Sequence, residues 1–562
     1  MTYVGFDFGT TYSSVCYGEG AEYCIEIDGT KYIESILFIS NKSYFVGDTA
    51  RVAIANGVKG CLFFDLKRWV GTTSFNFEKK KERIKPNYKC DMSGEILYIT
   101  GVNYGMEIRL SLSSAIGLYI QGMLKLCIKK TGKQIKAFSC SVPAGYNNIC
   151  RTFMKTLCSR LGFPLSRVIN EPTAAALSVI DIKTPGISVV YDFGGGTFDA
   201  SQVTNYGDYI MVTGSAGDLF LGGRDIDNEI RKIIQNTHPE LRESRFLNFF
   251  VEYVKIRISE NDHSIHPIVD ENLNIDVKFV LDSKALDDIA RPLIQKSIDL
   301  IKPLIPSNSQ DNVRLILVGG TSNFPLVYKM LHSEFPHIHI IKPENNRLSV
   351  AIGCHRLMNL VENNKSLSII DSCSNTLSDH LTCYLSDTII RKDAPIPIRI
   401  SKGVSFNTNS STVVCLFEGN SNRVFNNDLV FKSVFVTDTF SNNPPHNFTY
   451  EYDVDNEGNV SVVVRHTTTT REIRLTNELS DGVHMDLPDV DLRQNTDAAD
   501  ILAEMDFLLW SEKHSTSDRL NELRELFSED AVIDKAQQWN VTLDKENLHK
   551  RIAEFEKTKR NG

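Results

Sequence analysis

Several absences narrow the possibilities before any motif is found. No stretch of the sequence approaches 18 consecutive apolar residues, so no membrane-spanning helix is expected. The first residues have neither a basic start nor a long apolar core, and Asp7 interrupts the first apolar run, so no signal peptide is expected. No Gly-x-x-x-x-Gly-Lys-[Ser/Thr] sequence occurs, which argues against a P-loop nucleotide site. The 12 cysteines include no Cys-x-x-Cys pair and are scattered, often inside apolar runs, as Cys127 and Cys415 are. Reduced core thiols are therefore expected, rather than disulfides or zinc. The net charge of −9 is mild for 562 residues and gives no reason to expect direct nucleic-acid binding, which needs a basic patch.

What is present is an ordinary globular balance, 42% hydrophobic and 23% charged, in a chain long enough for roughly three or four domains. Its organising stretch is Tyr191-Asp192-Phe193-Gly194-Gly195-Gly196-Thr197-Phe198-Asp199. The apolar run Ile187 to Val190 before it reads as a buried strand. Three glycines then let the backbone turn tightly and come close to a ligand. Thr197 offers a hydroxyl and an N–H, and Asp192 and Asp199 flank the turn. Oxygen ligands suit Mg²⁺ and backbone N–H groups suit phosphate. The same grammar opens the chain, in Val4-Gly5-Phe6-Asp7-Phe8-Gly9-Thr10-Thr11-Tyr12. One glycine turn is ordinarily only a turn. Two copies about 185 residues apart suggest an internal duplication, with two lobes each aiming a phosphate loop at one nucleotide.

The paired loops resemble those of the actin-like ATPases, and specifically of the 70-kDa heat-shock chaperone family. Ile169-Asn170-Glu171-Pro172-Thr173-Ala174-Ala175-Ala176-Leu177 is similar to that family's signature, and Leu221-Gly222-Gly223 and Val318-Gly319-Gly320 also match. The resemblance is clear to about residue 360 and fainter to about residue 480. It implies an α/β fold: a two-lobed actin-like ATPase domain (1–364), an interdomain linker (365–372), a β-sandwich resembling a substrate-binding domain (373–485) and a short helical segment (486–562). In the tail, Leu548, Ile552 and Phe555 share one helix face.

The resemblance also implies roles. ATP or ADP with Mg²⁺ would be the cofactor. Gly9, Thr10, Thr11 and Tyr12, with Gly194, Gly195, Gly196 and Thr197, would wrap the phosphates, joined by Gly222, Gly223, Gly319, Gly320 and Thr321. Asp7 and Asp192 would hold hydrated Mg²⁺. Lys67, in Asp65-Leu66-Lys67-Arg68-Trp69, stands where the family has a lysine at the γ-phosphate; without the resemblance it would read as a surface-helix cation. Glu171, Thr197 and Asp199 would complete the catalytic network. Glu252, Lys255 and Ser259 match ribose and adenine contacts, but Ile256 and Asn323 replace the family's adenine-side arginines, and Arg347 stands where the family carries an acid. Pro143 and Arg151 match residues linked to interdomain signalling, whereas Gly145 replaces an aromatic.

A chaperone-type ATPase fits these features better than a sugar kinase or an actin-like filament protein of the same superfold. The kept phosphate end, the eroded adenosine end, a tail too short for a full lid and the missing acidic terminal peptide are most similar to the heat-shock homologues of closteroviruses and criniviruses. That implies ATP hydrolysis coupled to protein binding, with unfolded or viral protein segments and virion coat proteins as partners and a J-domain co-chaperone as a further one. It places the work in the host cytoplasm, on virions and at plasmodesmata. A divergent cellular chaperone is the alternative.

Overall fold

The structure is a computed structural model. It describes residues 1–485 apart from 28, 41–42, 87, 182–183, 208, 244–246, 262–264, 271–274, 307–312, 363–367, 381–385, 407–410, 438–445 and 480. The helical segment expected over 486–562 lies outside the described residues.

The two Asp-Phe-Gly stretches form two hairpins at the centres of two mixed sheets. In the first lobe, strand Thr2–Asp7 pairs antiparallel with Tyr12–Cys16, which continues to Ile33–Glu34. On its other side lie the parallel strands Ile135–Val142 and Leu165–Asn170. The second lobe repeats this order. Gly186–Phe193 pairs antiparallel with Phe198–Asn205, which pairs with Tyr209–Asp218, and Val313–Val318 and His339–Ile341 run parallel on the other flank. A sheet covered on both faces needs apolar residues on both sides of its strands. Accordingly Val189 to Tyr191 and Leu315 to Val318 are buried without interruption. The lobes have separate cores, one around Phe6, Phe8, Trp69 and Tyr119, the other around Tyr191, Phe193, Phe198 and Ile294.

Between the lobes, helix Glu171–Val179 crosses helix Ser349–Glu362. The crossing explains the alanine-rich signature. A side chain at Gly353 would sit 1.7 Å from the Ala174 carbonyl oxygen, so the two backbones nearly touch, and only small residues permit that approach. Pro172 in the first turn preorganises the helix start, and Glu171 there complements the helix dipole.

The described residues of the segment expected to be a linker form a strand. Ser368–Ser372 runs parallel to Tyr209–Asp218, with Ile369 opposite Ile210, and extends the second lobe's sheet. Pro395–Ile396 then pairs antiparallel with its far side. The other described strands beyond Ser372 form two four-stranded antiparallel sheets, Ser386–Ile390, Leu377–His380, Ser411–Glu418 and Asp428–Val436 against Ile398–Phe406, His446–Val454, Val460–His466 and Glu472–Leu475. Leu416, Val430, Tyr452 and Val464 fill the layer between them.

The sandwich packs on the first lobe through helix Asn148–Ser159. The Asn148 amide donates to Glu418 at 2.8 Å, Asn147 Nδ2 donates to Asp428 at 3.0 Å, and Lys155 pairs with Glu457. Farther along, the Ser113 hydroxyl donates to the His484 carbonyl oxygen at 2.6 Å.

The expectation of wholly reduced cysteines is corrected at one pair. Cys16 and Cys24 are joined in a disulfide, because an antiparallel bridge sets their Cα atoms 4.0 Å apart. Nine other described cysteines are free, and seven of those are buried. Among the described residues no helix is long and apolar enough to cross a membrane.

Candidate nucleotide site

The two hairpin turns meet in the cleft between the lobes. A side chain on Gly195 would start 2.2 Å from the Thr11 hydroxyl, and one on Gly196 would start 2.4 Å from Thr10 Cγ2. Glycine is therefore required where the loops face each other. The second turn is held by its carbonyls. Gly194 O accepts from the Gly223 amide at 3.1 Å and the Thr321 hydroxyl at 2.8 Å; Gly195 O accepts from the Arg224 amide at 2.7 Å; Gly196 O accepts from Arg68 at 3.2 Å. With these carbonyls engaged, and the Gly194 amide donating to Thr197 O at 3.0 Å, the polarity left to the turn is that of its remaining N–H groups, which suits an anion. In the first turn the hydroxyls of Thr10 and Thr11 are buried with no partner of their own, as expected of groups that await a ligand.

Four carboxylates converge beneath the turns. Asp7 ends the first central strand and Asp192 lies near the end of the second, opposite Asp199 across the hairpin. Glu171 is the fourth. Among the described residues one cation faces them: Lys67, held in the 3₁₀ turn Leu66–Trp69 by its pairing with Glu171, only 4% exposed and not on a surface helix. Burial works against its charge, yet Glu171 and Asp7 more than offset that and raise its pKa. The acids show the converse. Burial, then Glu171, pushes Asp7 up to about 7 despite Lys67 and a 2.9 Å hydrogen bond from Ser141. Burial, then Glu171, likewise pushes Asp199 to about 7, and burial with Glu171 and its neighbouring aspartates raises Asp192 well above the carboxylate range. One ammonium for four carboxylates leaves negative charge that a divalent cation would offset, so the residues fit Mg²⁺. Among the described residues no three of these acids are gathered closely enough to ligate a metal directly.

The sequence-chosen residues fall into two sets. Asp7, Gly9, Thr10, Thr11, Tyr12, Lys67, Glu171, Asp192, Gly194, Gly195, Thr197, Glu252, Lys255, Ser259, Gly319, Gly320 and Thr321 line the cleft. Asp199, Gly196, Gly222 and Gly223 lie behind the lining: Asp199 is 1% exposed and accepts from the Gly145 amide at 3.3 Å. Lys255 is tied to Asp227 at 2.8 Å, and the Ser259 hydroxyl donates within its own helix. Ile256 and Asn323 also line the cleft, where Asn323 and Asn346 exchange side-chain hydrogen bonds.

Sequence reasoning missed Arg68 and Arg224. Arg68 bonds Gly196 O and lies 3.4 Å from Asp225; Arg224 bonds Asp65 at 3.1 Å. Arg68 braces the second turn through Gly196 O, and Arg224, which also lines the cleft, braces it through its amide on Gly195 O. Their signal was position beside Lys67 and beside Gly223, but an arginine in a turn or a helix start is usually solvated. The loop after Pro143 reaches the site in spite of its glycine. Gly145 contacts Asp199, and the Tyr146 hydroxyl donates to the Lys67 carbonyl at 3.1 Å. Arg151 then bridges Tyr146 O, Asn170 and Ser374, while Asn170, next to Glu171, donates to Asp371 at 2.7 Å.

Two repeated sheets with facing phosphate-type hairpins and a helix pair at the hinge define the actin-like ATPase fold, here joined to a β-sandwich. The chain belongs to the heat-shock protein 70 family: the family model described as Hsp70 protein matches residues 3–561. Among its relatives is the Movement protein Hsp70h of Grapevine leafroll-associated virus 3, 32% identical over 469 residues, covering 82% of this chain and 84% of the relative. The Movement protein Hsp70h of Lettuce infectious yellows virus is 30% identical, covering 85% and 86%. The Chaperone protein DnaK of Mycoplasmoides gallisepticum is 26% identical, covering 74% and 70%. The chain is thus a chaperone-like protein with viral movement-protein homologues in a family of ATPases that use Mg²⁺ and bind client proteins.

Proposed function

We propose that this chain binds ATP and hydrolyses it slowly with Mg²⁺, and that it uses the cycle in movement and virion assembly of a plant virus. The observation that carries the first part is the facing of the two glycine turns over four carboxylates and Lys67. Thr10, Thr11 and the turn amides would hold the β- and γ-phosphates. Asp7 and Asp192 would hold Mg²⁺ through water, which that ion gives up reluctantly. When bound, the ion supplies charge neutralisation at the polyphosphate. Lys67 positions the attacking water and counters developing charge, with Glu171 fixing its ammonium. Asp199 and Thr197 support that network, and Asp199 takes its place from the Gly145 amide. Gly222, Gly223, Gly319, Gly320 and Thr321 shape the wall, while Glu252, Lys255 and Ser259 form the ribose side.

The second part rests on the Hsp70h relatives, named as movement proteins. Partners on this reading are viral coat proteins and unfolded segments, with a J-domain co-chaperone, in the host cytoplasm, on particles and at plasmodesmata. Residues 373–485, with 486–562, are the proposed attachment surface. Stable attachment to a filament needs roughly 1,200–2,000 Å² of interface. Immunogold labelling of purified filaments should mark one end, and deleting residues 373–562 should remove the label. Asp7→Ala, carried in the infectious genome, should block spread between neighbouring cells. Unlabelled particles together with normal spread of the variant would overturn the viral reading.

A further inference from the structure

Among the described residues four cations line the cleft, and three of them are spent on carboxylates. Lys67 pairs with Glu171, Arg224 with Asp65 at 3.1 Å, and Lys255 with Asp227 at 2.8 Å. The fourth, Arg347, has no carboxylate within ion-pair distance among the described residues. Its guanidinium instead lies over the Tyr32 ring, 4.6 Å from the centroid, and Tyr32 meets Tyr12 edge-on at 6.0 Å. Arg347 is contributed by the second lobe and Tyr32 by the first, so the pair bridges the cleft.

Its place in the cleft fixes what it can meet. It shares the cleft with the phosphate-type turns, the acids and Lys67. The same cleft is lined by the apolar and aromatic side chains of Tyr32, Ile256, Phe324 and Val350 as well as by Arg347. Asn323 and Asn346 add little to it, because they are bonded to each other and Asn346 also donates to Ser322 at 3.0 Å. A side chain on Gly320 would begin 3.5 Å from Arg347 Nε, so the arginine borders the Gly319-Gly320 turn. A planar guanidinium stacks on π-systems and carries five donors, which an ammonium cannot reproduce.

We infer that Arg347, set by Tyr32, is the nucleobase-binding residue of this cleft and that it takes a purine by stacking. The inference rests on the nucleotide reading above and adds the group that grips the base. Stacking is indifferent to the ring substituents, and a donor-only guanidinium matches the O6/N7 edge of guanine as well as N7 of adenine. The cleft therefore accepts GDP and ADP within about tenfold of each other.

The test is calorimetry with Mg²⁺ and three probes: ADP, GDP and inorganic tripolyphosphate. Arg347→Ala should weaken ADP and GDP roughly tenfold, the scale of one desolvated cation–π contact, and leave tripolyphosphate unchanged. Arg347→Lys keeps the charge and should stay weak, which separates stacking from charge and guards against a misfolded alanine variant. Tyr32→Ala should weaken ADP and add little in the Arg347→Ala background. The assignment falls if Arg347→Ala binds ADP within twofold of the parent, if Arg347→Lys restores binding fully, or if tripolyphosphate weakens equally. A parent protein that binds none of the three probes would overturn the nucleotide reading itself, a result distinct from an unaffected variant.

Discussion

Lys67→Met keeps the length and most of the volume of the side chain and removes one charge. In the parent that ammonium is 4% exposed and is, among the described residues, the one cation facing Asp7, Glu171, Asp192 and Asp199. Removing one member of a buried pair leaves the other uncompensated and costs about 3–5 kcal/mol. Without Mg²⁺, the denaturation midpoint of Lys67→Met should fall accordingly, and Mg²⁺ should recover part of the loss because the acid cluster then has another counter-charge. Lys67→Met with Glu171→Gln removes both charges and should return stability towards the parent. Turnover should behave differently. Both variants should lose roughly 10²–10³ in single-turnover rate, the scale for one electrostatic stabiliser. Two results would refute the reasoning. Parental turnover in Lys67→Met would remove Lys67 from the mechanism. Parental stability without Mg²⁺ would show that its charge is not what the four acids depend on.

Two further outcomes follow from the packing. At the domain interface, burial raises Glu418 from 4.5 to about 7 against the Asn148 amide and Arg151, with Asp428 adding to the rise. Its protonated form is favoured when the sandwich is docked, so docking is strongest below about pH 4.5 and weakens as pH rises through about 7. Asp371, also raised by burial, has the same sign. Glu418→Gln should flatten the pH dependence of the scattering radius, and an unaltered slope would contradict this. In the second turn, a side chain on Gly222 would begin 2.6 Å from the Gly196 amide nitrogen, and backbone cannot yield as a flexible side chain can. Gly222→Ala should weaken MgADP binding at least roughly tenfold, an effect of the size of a 1–3 kcal/mol overpacking strain, while Gly403→Ala, with open space around it, should bind as the parent does.

Local grammar was what the sequence made legible. The hairpins could be read because each packs a strand, a glycine turn and an acid into about nine residues, and duplication made them conspicuous. The signature helix could be read as well, although the cause of its alanines lay in Gly353, nearly 180 residues away. Pairings across long separations could not be read. The strand around Ile369 and Ile370 showed its apolar character, but its partner at Ile210 and Met211 carries no mark of the match. Tyr32 and Arg347 meet only because the lobes close on each other. Cys16 and Cys24 had no motif to announce them. Their bond follows from the turn between them.

The second half of the chain touches both lobes of the first, and by different means. Strand Ser368–Ser372 is built into the sheet of the second lobe, while the sandwich grips helix Asn148–Ser159 of the first. The second half is therefore a strap across the back of a hinged jaw. On the nucleotide reading proposed above, a strap fastened at both ends would restrain the lobes from swinging apart, and releasing nucleotide would be tied to releasing the sandwich. On the proposed reading, a filament that holds the sandwich would, through the same strap, bear on the width of the jaw.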